Sequence, residues 1–207
     1  PAPRRRAPRR TDAARTLLGL LADPSYGSKR RVWRRYDHMV RTNAVLLPGS
    51  DAAVLRLKGT NRLIAISVDG PSRLVEADPF VGGQLAIAEA ARKVACAGAR
   101  PVAFTNGLNF GNPERPRVRW QFALAVRGIA LGARRLRTPV VSGNVSFYNA
   151  HGWRDIPPTP IIGMLGVLDG WAPVPQWFRR AGDLIAWIGP RRASLAASAW
   201  QRRLTGG

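Results

Sequence analysis

The spacing of hydrophobic residues along this chain changes from a strand period to a helix period. Short apolar runs at 52–58 and 63–68, separated by a turn-rich spacer, predict a β-hairpin. Apolar residues then lie on one stripe at helical spacing over 82–98, which predicts a helix. The same spacing predicts a second, longer helix from Val118, Phe122, Val126, Ile129, Ala133 and Leu136.

Further strands are predicted at 101–105, 138–147, 159–169 and 182–189. We interpret 138–147 as a buried strand that runs into a tight turn. The resulting order of strands and helices predicts an α/β or α+β domain over about 47–169. The last part, 175–207, is interpreted as the incomplete beginning of a second domain.

The first 46 residues differ from this pattern. Residues 1–10 are rich in arginine and proline with nothing to bury, so we expect a disordered arm. Residues 11–46 predict a helical linker segment, whose first helix is capped by Thr11 and carries several leucines. That helix is short and follows charged residues, which favours a packing helix over a targeting signal.

The excess of basic residues in this chain has two possible interpretations. The chain has 33 Lys and Arg residues against 12 Asp and Glu residues, a formal net charge of +21. Such an excess is typical of proteins that bind polyanions. However, Lys29, Lys58 and Lys93 are the only lysines, and arginine enrichment with abundant Ala, Gly and Pro is also what GC-rich coding produces.

Several classes of site are excluded or disfavoured by composition. A lone cysteine, Cys96, excludes a disulfide framework and a multi-cysteine zinc site. The two histidines, His38 and His151, disfavour a histidine metal cage and a Ser-His-Asp triad. No apolar run approaches the roughly 20 residues that span a bilayer.

Two predicted loops, 106–113 and 142–146, combine glycine with amide and hydroxyl side chains. Glycine lets the backbone approach an anion, and successive N–H groups then form a phosphate-binding concavity. Asn and Ser supply neutral oxygens that suit hydrated Mg²⁺ or phosphate. The alternative is that these residues only form turns.

Four acids form a third set of candidates, because Mg²⁺ with nucleotide requires hard oxygen ligands. They are Asp51, Asp69, Asp78 and Glu89. The alternative is that the aspartates cap helices or form turns and that Glu89 pairs with Lys93, four residues later.

Seven strings over roughly residues 28–190 form a specific pattern: RRVWRRYDHMVRTN, LPGSDAAVLRLKGT, ISVDG, DPFVGGQLAIAEAARKVACAGARP, LNFGNPERP, TPVVSGNVSFYN and PTPIIGMLGVLD. In these strings the chain resembles the PurL family of phosphoribosylformylglycinamidine synthase subunits, in the PurM/PurL superfamily. The resemblance is to the second half of the family's chain. It implies a PurM N-terminal-like domain with a mixed sheet and flanking helices at 47–169, followed by the truncated start of a PurM C-terminal-like domain at 175–207.

The resemblance also implies a reaction, its cofactors and its partners. The family is a carbon–nitrogen ligase of de novo purine biosynthesis that uses ATP, Mg²⁺ and ammonia to convert formylglycinamide ribonucleotide to its amidine. Its partners are the PurQ glutaminase, which supplies ammonia, and PurS. We therefore expect a cytoplasmic protein that contacts the missing first half of PurL, avoids membranes and binds nucleic acid only non-specifically.

Site residues follow from the resemblance position by position. Asn106 and Gly143 fall at ATP-contacting positions, Asn144 at a Mg²⁺ position and Ser146 at a substrate-binding position. Two acids, Asp51 and Glu89, are similar to those of an auxiliary nucleotide and Mg²⁺ site found in long single-chain relatives.

Departures from the family pattern limit what the chain can do alone. Asn106 stands where some relatives have aspartate, and Lys93 where the family has asparagine, so the lysine competes with Mg²⁺ for Glu89. The segment 195–200 lacks two glycines and an acid of its counterpart. No catalytic histidine string of the family's first half occurs, so we expect no catalytic residue here and no activity alone. The alternatives are a basic nucleic-acid-binding module or another PurM-like ATP-dependent enzyme.

Overall fold

The computed structural model describes residues 12–170, 172–189, 195 and 197–205. The predicted disordered arm at 1–10 lies outside the described residues. The boundaries proposed for the linker and for the two domains remain predictions.

One mixed sheet organises the described chain. Its strands and those of a small separate pair are β1 (Ala44–Leu46), β2 (Ala53–Leu57), β3 (Arg62–Asp69), β4 (Arg100–Asn109), β5 (Val140–Ser146), β6 (Ala150–His151), β7 (Arg154–Asp155) and β8 (Thr159–Asp169). The six-stranded sheet has the order β1-β2-β3-β8-β4-β5, and β6 pairs with β7. Neighbours are antiparallel except β4 and β5, which run parallel.

Two helices precede the first strand, and the two main helices follow β3 and β4 in the predicted order. They are α1 (Ala13–Leu21), α2 (Arg30–Trp33), α3 (Ser72–Ala77), α4 (Pro79–Cys96), α5 (Pro116–Leu136) and α6 (Ala199–Thr205), with a 3-10 turn at Val40–Thr42. The Asp78 carboxylate accepts the N–H of Val81 at 2.9 Å, and Pro79 opens α4. Proline also opens α5, which ends where Arg137 adopts a left-handed conformation.

The core lies between the sheet and α4, which contacts β3, β4 and β8, while α5 packs beside α4. Glycines permit that helix contact, because a Cβ at Gly83 would lie 2.5 Å from the carbonyl oxygen of Ala125 and one at Gly128 would clash with that of Phe80. The largest fully buried side chains include Phe104, Phe110, Leu63, Ile87, Ile162 and Met164. Burial of these side chains is the main source of stability for the domain.

The two sides of the sheet differ. We call the side against α3, α4 and α5 the helix side and the opposite one the open side. Strand alternation places Leu63, Ala65 and Ser67 on the helix side, where all three are buried. The open side carries apolar side chains that are half-buried or exposed: Leu55, Ile64, Ile66, Val68, Ile161, Leu165 and Val167.

The predicted mixed α/β fold is confirmed, and two strand predictions are wrong. Residues 182–189 join neither sheet, and without a pairing strand Leu184 and Ile188 are each 97% exposed. The strand β5 forms as predicted from 138–147, but it is an edge strand with residues 140–145 exposed rather than buried. A further difference is that β1 lies inside the predicted helical linker and pairs with β2.

Among the described helices, none combines the length and apolar character needed to cross a bilayer.

Candidate functional site

The two predicted ligand-binding segments lie side by side because β4 and β5 pair in parallel. All of 106–113 was predicted as a loop, yet β4 continues to Asn109. Residues 142–146 were predicted both as the end of the strand 138–147 and as a loop, and they belong to the strand β5. Glycine and asparagine favour turns in isolation, but β4 is paired on both edges, and that tertiary pairing outweighs local preference. The aligned pairs are Thr105 with Ser142, Asn106 with Gly143, Gly107 with Asn144, and Asn109 with Ser146.

Asn106 and Gly143, the two residues predicted to contact ATP, touch each other on the helix side of these strands. A Cβ at Gly143 would clash with the carboxamide oxygen of Asn106 and would lie 2.6 Å from its backbone oxygen. Glycine is therefore required at position 143 for Asn106 to occupy its place. The contact leaves the exposed backbone of Gly143 open to close approach by a ligand.

Asn144 and Ser146 lie on the open side, together with Ser142. The Asn144 amide donates from Nδ2 to the Ser146 Oγ at 3.1 Å, and the Ser142 Oγ donates to the Thr105 Oγ1 at 2.7 Å. These bonds hold a row of neutral oxygens along the end of the sheet. Neutral oxygens are suited to a hydrated cation or to the hydroxyl and phosphate groups of a ribonucleotide.

The alternation of β5 thus divides the predicted site between two sides of the sheet. An open concavity of about 430 Å³ is lined by Asn106 and residues 140–145. Because β5 is an edge strand, both of its sides can be reached from outside. Ligands that together contact all the predicted residues would therefore lie on both sides of β5 and across its free edge.

An aromatic cluster fixes the ends of β4 and β5 to the helix layer. The ring centroids of Phe110 and Phe122 are 5.2 Å apart, and those of Phe122 and Phe147 are 5.0 Å apart, all in edge-to-face geometry. Phe110 follows β4, Phe147 follows β5 and Phe122 lies on α5. The cluster therefore sets where the strand ends meet.

Asn149 locks the same strand ends and was not singled out from the sequence. Its Nδ2 donates to the backbone oxygens of Ser146, at 2.8 Å, and Phe110, at 3.0 Å, and its backbone N–H donates to Phe110 as well. Each strand end thus contributes one carbonyl to a single carboxamide. An asparagine within a turn is too common a pattern to reveal this function in advance.

Asp155 holds the loop that follows β4 and was also missed. Its carboxylate accepts the N–H of Asn112 at 3.1 Å and pairs with the Arg115 guanidinium at 2.8 Å. The loop passes so close that a Cβ at Gly111 would lie 2.7 Å from the Asp155 Oδ1. The glycine within FGNPERP is the one sequence signal of this close approach.

Asp51 and Glu89, the proposed auxiliary acids, do not assemble into a carboxylate cluster. Asp51 is exposed in the turn before β2, and Glu89 is half-buried near the middle of α4. Within the described residues, no three His, Cys, Asp or Glu side chains are grouped so that they could hold a metal ion. The remaining aspartates of that set serve locally, since Asp78 caps α4.

The expected pairing of Lys93 with Glu89 is wrong. The Lys93 Nζ lies 2.5 Å from the Asp69 Oδ2. Lysine reaches this partner because side chains on a helix lean toward its N-terminus, and Asp69 ends the strand beneath α4.

A second concavity of about 440 Å³ lies between the start of α4 and the first half of α5, and its lining includes Phe80, Trp120 and Arg127. It holds none of the residues predicted to bind ATP, Mg²⁺ or substrate. We therefore take the β4–β5 edge as the candidate site.

Comparison with known proteins identifies relatives of this chain. A family model described as AIR synthase related protein, N-terminal domain, matches residues 49–168. The phosphoribosylformylglycinamidine synthase subunit PurL of Moorella thermoacetica is 51% identical over 194 residues, which are 93% of this chain and 26% of that protein. The chain thus spans about a quarter of the length of the curated relatives it matches.

Solved structures of Thermotoga maritima PurL are similar to this chain as well. The PurLQS structure has a TM-score of 0.62 at 35% identity and covers 68% of this chain and 24% of that one. The ATP complex has a TM-score of 0.60 at 33% identity. The FGAR complex has a TM-score of 0.59 at 35% identity, and each of these two complexes covers 68% of this chain and 23% of that one.

Proposed function

The chain belongs to the family of AIR synthase related proteins through their N-terminal domain, and from this we propose that it is part of a PurL-type phosphoribosylformylglycinamidine synthase. The observation that carries the proposal is the 51% identity to a PurL subunit across 93% of the chain, including both strands of the candidate site. In the proposed reaction ATP phosphorylates the carbonyl oxygen of formylglycinamide ribonucleotide. Ammonia then attacks the carbon of the same carbonyl group, and phosphate leaves as the amidine forms.

We assign ATP contact to Asn106 and Gly143. The carboxamide of Asn106 offers one donor and one acceptor group, and the glycine backbone lets a phosphate or ribose approach β5 closely. The structure of T. maritima PurL in complex with ATP supports nucleotide binding by a PurL-type protein. A neutral Asn106 in place of an acid removes a charge repulsion toward the nucleotide phosphates.

We assign Mg²⁺ contact to Asn144 and substrate contact to Ser146. The open-side oxygens fit a Mg²⁺ that arrives with ATP, because carboxylates are not needed when phosphate oxygens balance the charge of the ion. When bound, Mg²⁺ supplies charge neutralisation during phosphoryl transfer. The Ser146 hydroxyl, which accepts the Asn144 amide, keeps its own proton to donate to the ribonucleotide.

We further propose that the remaining part of a PurL chain packs on the open side of the sheet. The apolar row on β3 and β8 includes Val68, with 65% of its surface exposed, and β4 separates this row from the polar row of β5. A partner on this side would bury the apolar residues and bring its own groups to Asn144 and Ser146. The PurLQS structure of T. maritima supports PurQ and PurS as further partners.

The experiment is an amidation assay with separately purified polypeptides. This chain, a polypeptide supplying the remaining length of a PurL relative, and the mixture are each given ATP, Mg²⁺, ammonia and formylglycinamide ribonucleotide. Only the mixture should release phosphate and form the amidine. Turnover by this chain alone would contradict the need for the missing part, and failure of a stable mixture to turn over would contradict the assignment to PurL.

A variant pair tests the site assignment within the active mixture. Asn106→Ala should raise the KM for ATP about tenfold or more, because it removes a proposed nucleotide contact. Val126→Ala, on the exposed face of α5 and outside the lining of this concavity, is the control and should leave that KM within about twofold. Equal effects of the two substitutions would remove Asn106 from the nucleotide site.

A further inference from the structure

Asp69 is a carboxylate held at the end of β3, under α4, with only 16% of its side chain exposed. Its Oδ1 accepts the N–H of Gly70 at 2.8 Å. Its Oδ2 is buried as well. A buried carboxylate oxygen requires a cation or a hydrogen-bond donor next to it.

Lys93 supplies that cation from within the chain. Its ammonium lies 2.5 Å from the Asp69 Oδ2, and one third of the lysine side chain is exposed. Glu89 precedes Lys93 by one helical turn on α4, and it takes part in no ion pair among the described residues. The Lys93 ammonium thus pairs with the carboxylate of Asp69 on the strand and not with that of Glu89 on its own helix.

We propose that the Lys93 ammonium is a built-in replacement for a divalent cation at this position, so that the β3–α4 junction binds no Mg²⁺. The residues present do not fit the auxiliary Mg²⁺ that the resemblance implied. Of the two acids implied, Asp51 lies in an exposed turn before β2, and Glu89 is on α4 without an ion pair among the described residues. At the β3–α4 junction, Asp69 and Glu89 contribute two negative charges and Lys93 cancels one of them, which leaves too little charge for a divalent ion. A tethered ammonium also competes at high effective concentration.

This inference concerns the chain itself and does not depend on the proposed reaction. It is tested by metal binding rather than by turnover, so its failure is separate from failure of the assignment to PurL. The first measurement needs no variant, because the chain has only Lys29, Lys58 and Lys93 as lysines. Reductive methylation of the full chain, followed by peptide mass spectrometry, reports the accessibility of each.

We expect Lys93 to be methylated several-fold more slowly than Lys58, both without metal and with about 10 mM Mn²⁺. That concentration of Mn²⁺ is high enough to fill even a weak cation site. An unchanged ratio supports the proposal. If Mn²⁺ raises Lys93 methylation toward that of Lys58, the metal displaces the ammonium and the proposal fails.

The second measurement uses Lys93→Asn, which removes the ammonium and offers a carbonyl oxygen. Titration with Mn²⁺, followed by the electron paramagnetic resonance signal of the free ion, should reveal a site in K93N that the unmodified chain lacks. The matched control is D69N/K93N, in which that site should disappear. A site of equal affinity in the unmodified chain, lost in D69N, would overturn the proposal, and so would the absence of any new site in folded K93N.

Discussion

The helix side and the open side of the sheet use their polar residues in opposite ways. On the helix side, the Ser67 hydroxyl donates to the carbonyl of Ala90 at 2.8 Å, and Asp69 is neutralised by Lys93. On the open side, Ser142 and Asn144 bond only to other exposed or half-buried hydroxyls of the same row. Ser67 and Asp69 are therefore satisfied inside the chain, whereas Ser142 and Asn144 remain accessible to a ligand.

The apolar residues show the same contrast. Helix-side residues such as Phe104 and Met164 are 1% and 0% exposed, whereas open-side Val68 is 65% exposed. The helix side is thus a fully packed core, and the open side is an exposed apolar surface of the kind that binds partners. The difference indicates that the stability of this chain comes from the helix side. The proposed contacts to Mg²⁺ and substrate lie on the open side, whereas Asn106, on the helix side of β4, reaches the candidate site beside the edge strand β5.

The largest effect that separates the two sides is expected at neighbouring residues of β4. Phe104→Ala removes a buried ring from the helix side and should lower the free energy of unfolding by about 3–5 kcal/mol. Thr105→Ala, one residue later and on the exposed open side, should cost less than about 1 kcal/mol, from loss of its bond with Ser142. Urea denaturation followed by circular dichroism measures both. Equal losses would show that the open side is also part of the core.

The next largest effect tests the close contact between α4 and α5. In Gly128→Ala, the new methyl group would clash with the backbone oxygen of Phe80, whereas in Gly132→Ala it would lie 3.2 Å from the Cβ of Ile87. Alanine favours helix by about 1 kcal/mol, which offsets a mild side-chain contact but not a backbone clash. We expect G128A to be destabilised by about 1–3 kcal/mol and the stability of G132A to change by less than about 1 kcal/mol.

Thermal melting in the presence of urea gives the order of these two variants. A G128A chain as stable as the unmodified chain would mean that α4 and α5 separate easily. The glycines would then not define the helix packing.

Much of this fold could be predicted because hydrophobic periodicity determines it. The spacing that predicted the long helix corresponds to Pro116–Leu136, and the segment 159–169 is the strand β8 as predicted. The strand predicted at 182–189 failed because an apolar run has no strand structure without a neighbour. Local pattern alone does not report whether that neighbour exists in the chain.

The candidate site was predicted only in part, for a different reason. Asn106, Gly143, Asn144 and Ser146 were predicted in two separate loops, and the structure brings them together on β4 and β5. Their division between two sides follows from the strand period of two, which cannot be applied to a segment interpreted as a loop. The Lys93–Asp69 pair was missed because residues 24 positions apart are joined by packing, not by spacing.

A smaller effect compares two serine hydroxyls whose hydrogen bonds have similar lengths. Ser67→Ala removes a buried bond on the helix side and should cost about 1 kcal/mol of unfolding free energy. Ser142→Ala removes an exposed bond on the open side, where water replaces the partner, and should cost at most about 0.3 kcal/mol. The urea midpoints of both variants give the comparison. A larger loss in S142A than in S67A would contradict the division into a closed and an available side.

The substitution with the smallest expected effect on stability, Val68→Lys, should strongly weaken assembly. Val68→Lys places a charge on the open side, where the side chain is already 65% exposed, so the free energy of unfolding should change by less than about 0.5 kcal/mol. Association with the remaining part of a PurL chain should nevertheless weaken at least about tenfold, because the lysine would be buried without a partner. Sedimentation of labelled chain with that polypeptide measures the affinity, and Val126→Lys on α5 is the control on the helix layer. Equal affinities of V68K and the unmodified chain would mean that the partner docks elsewhere, and that the apolar row on β3 and β8 has another occupant.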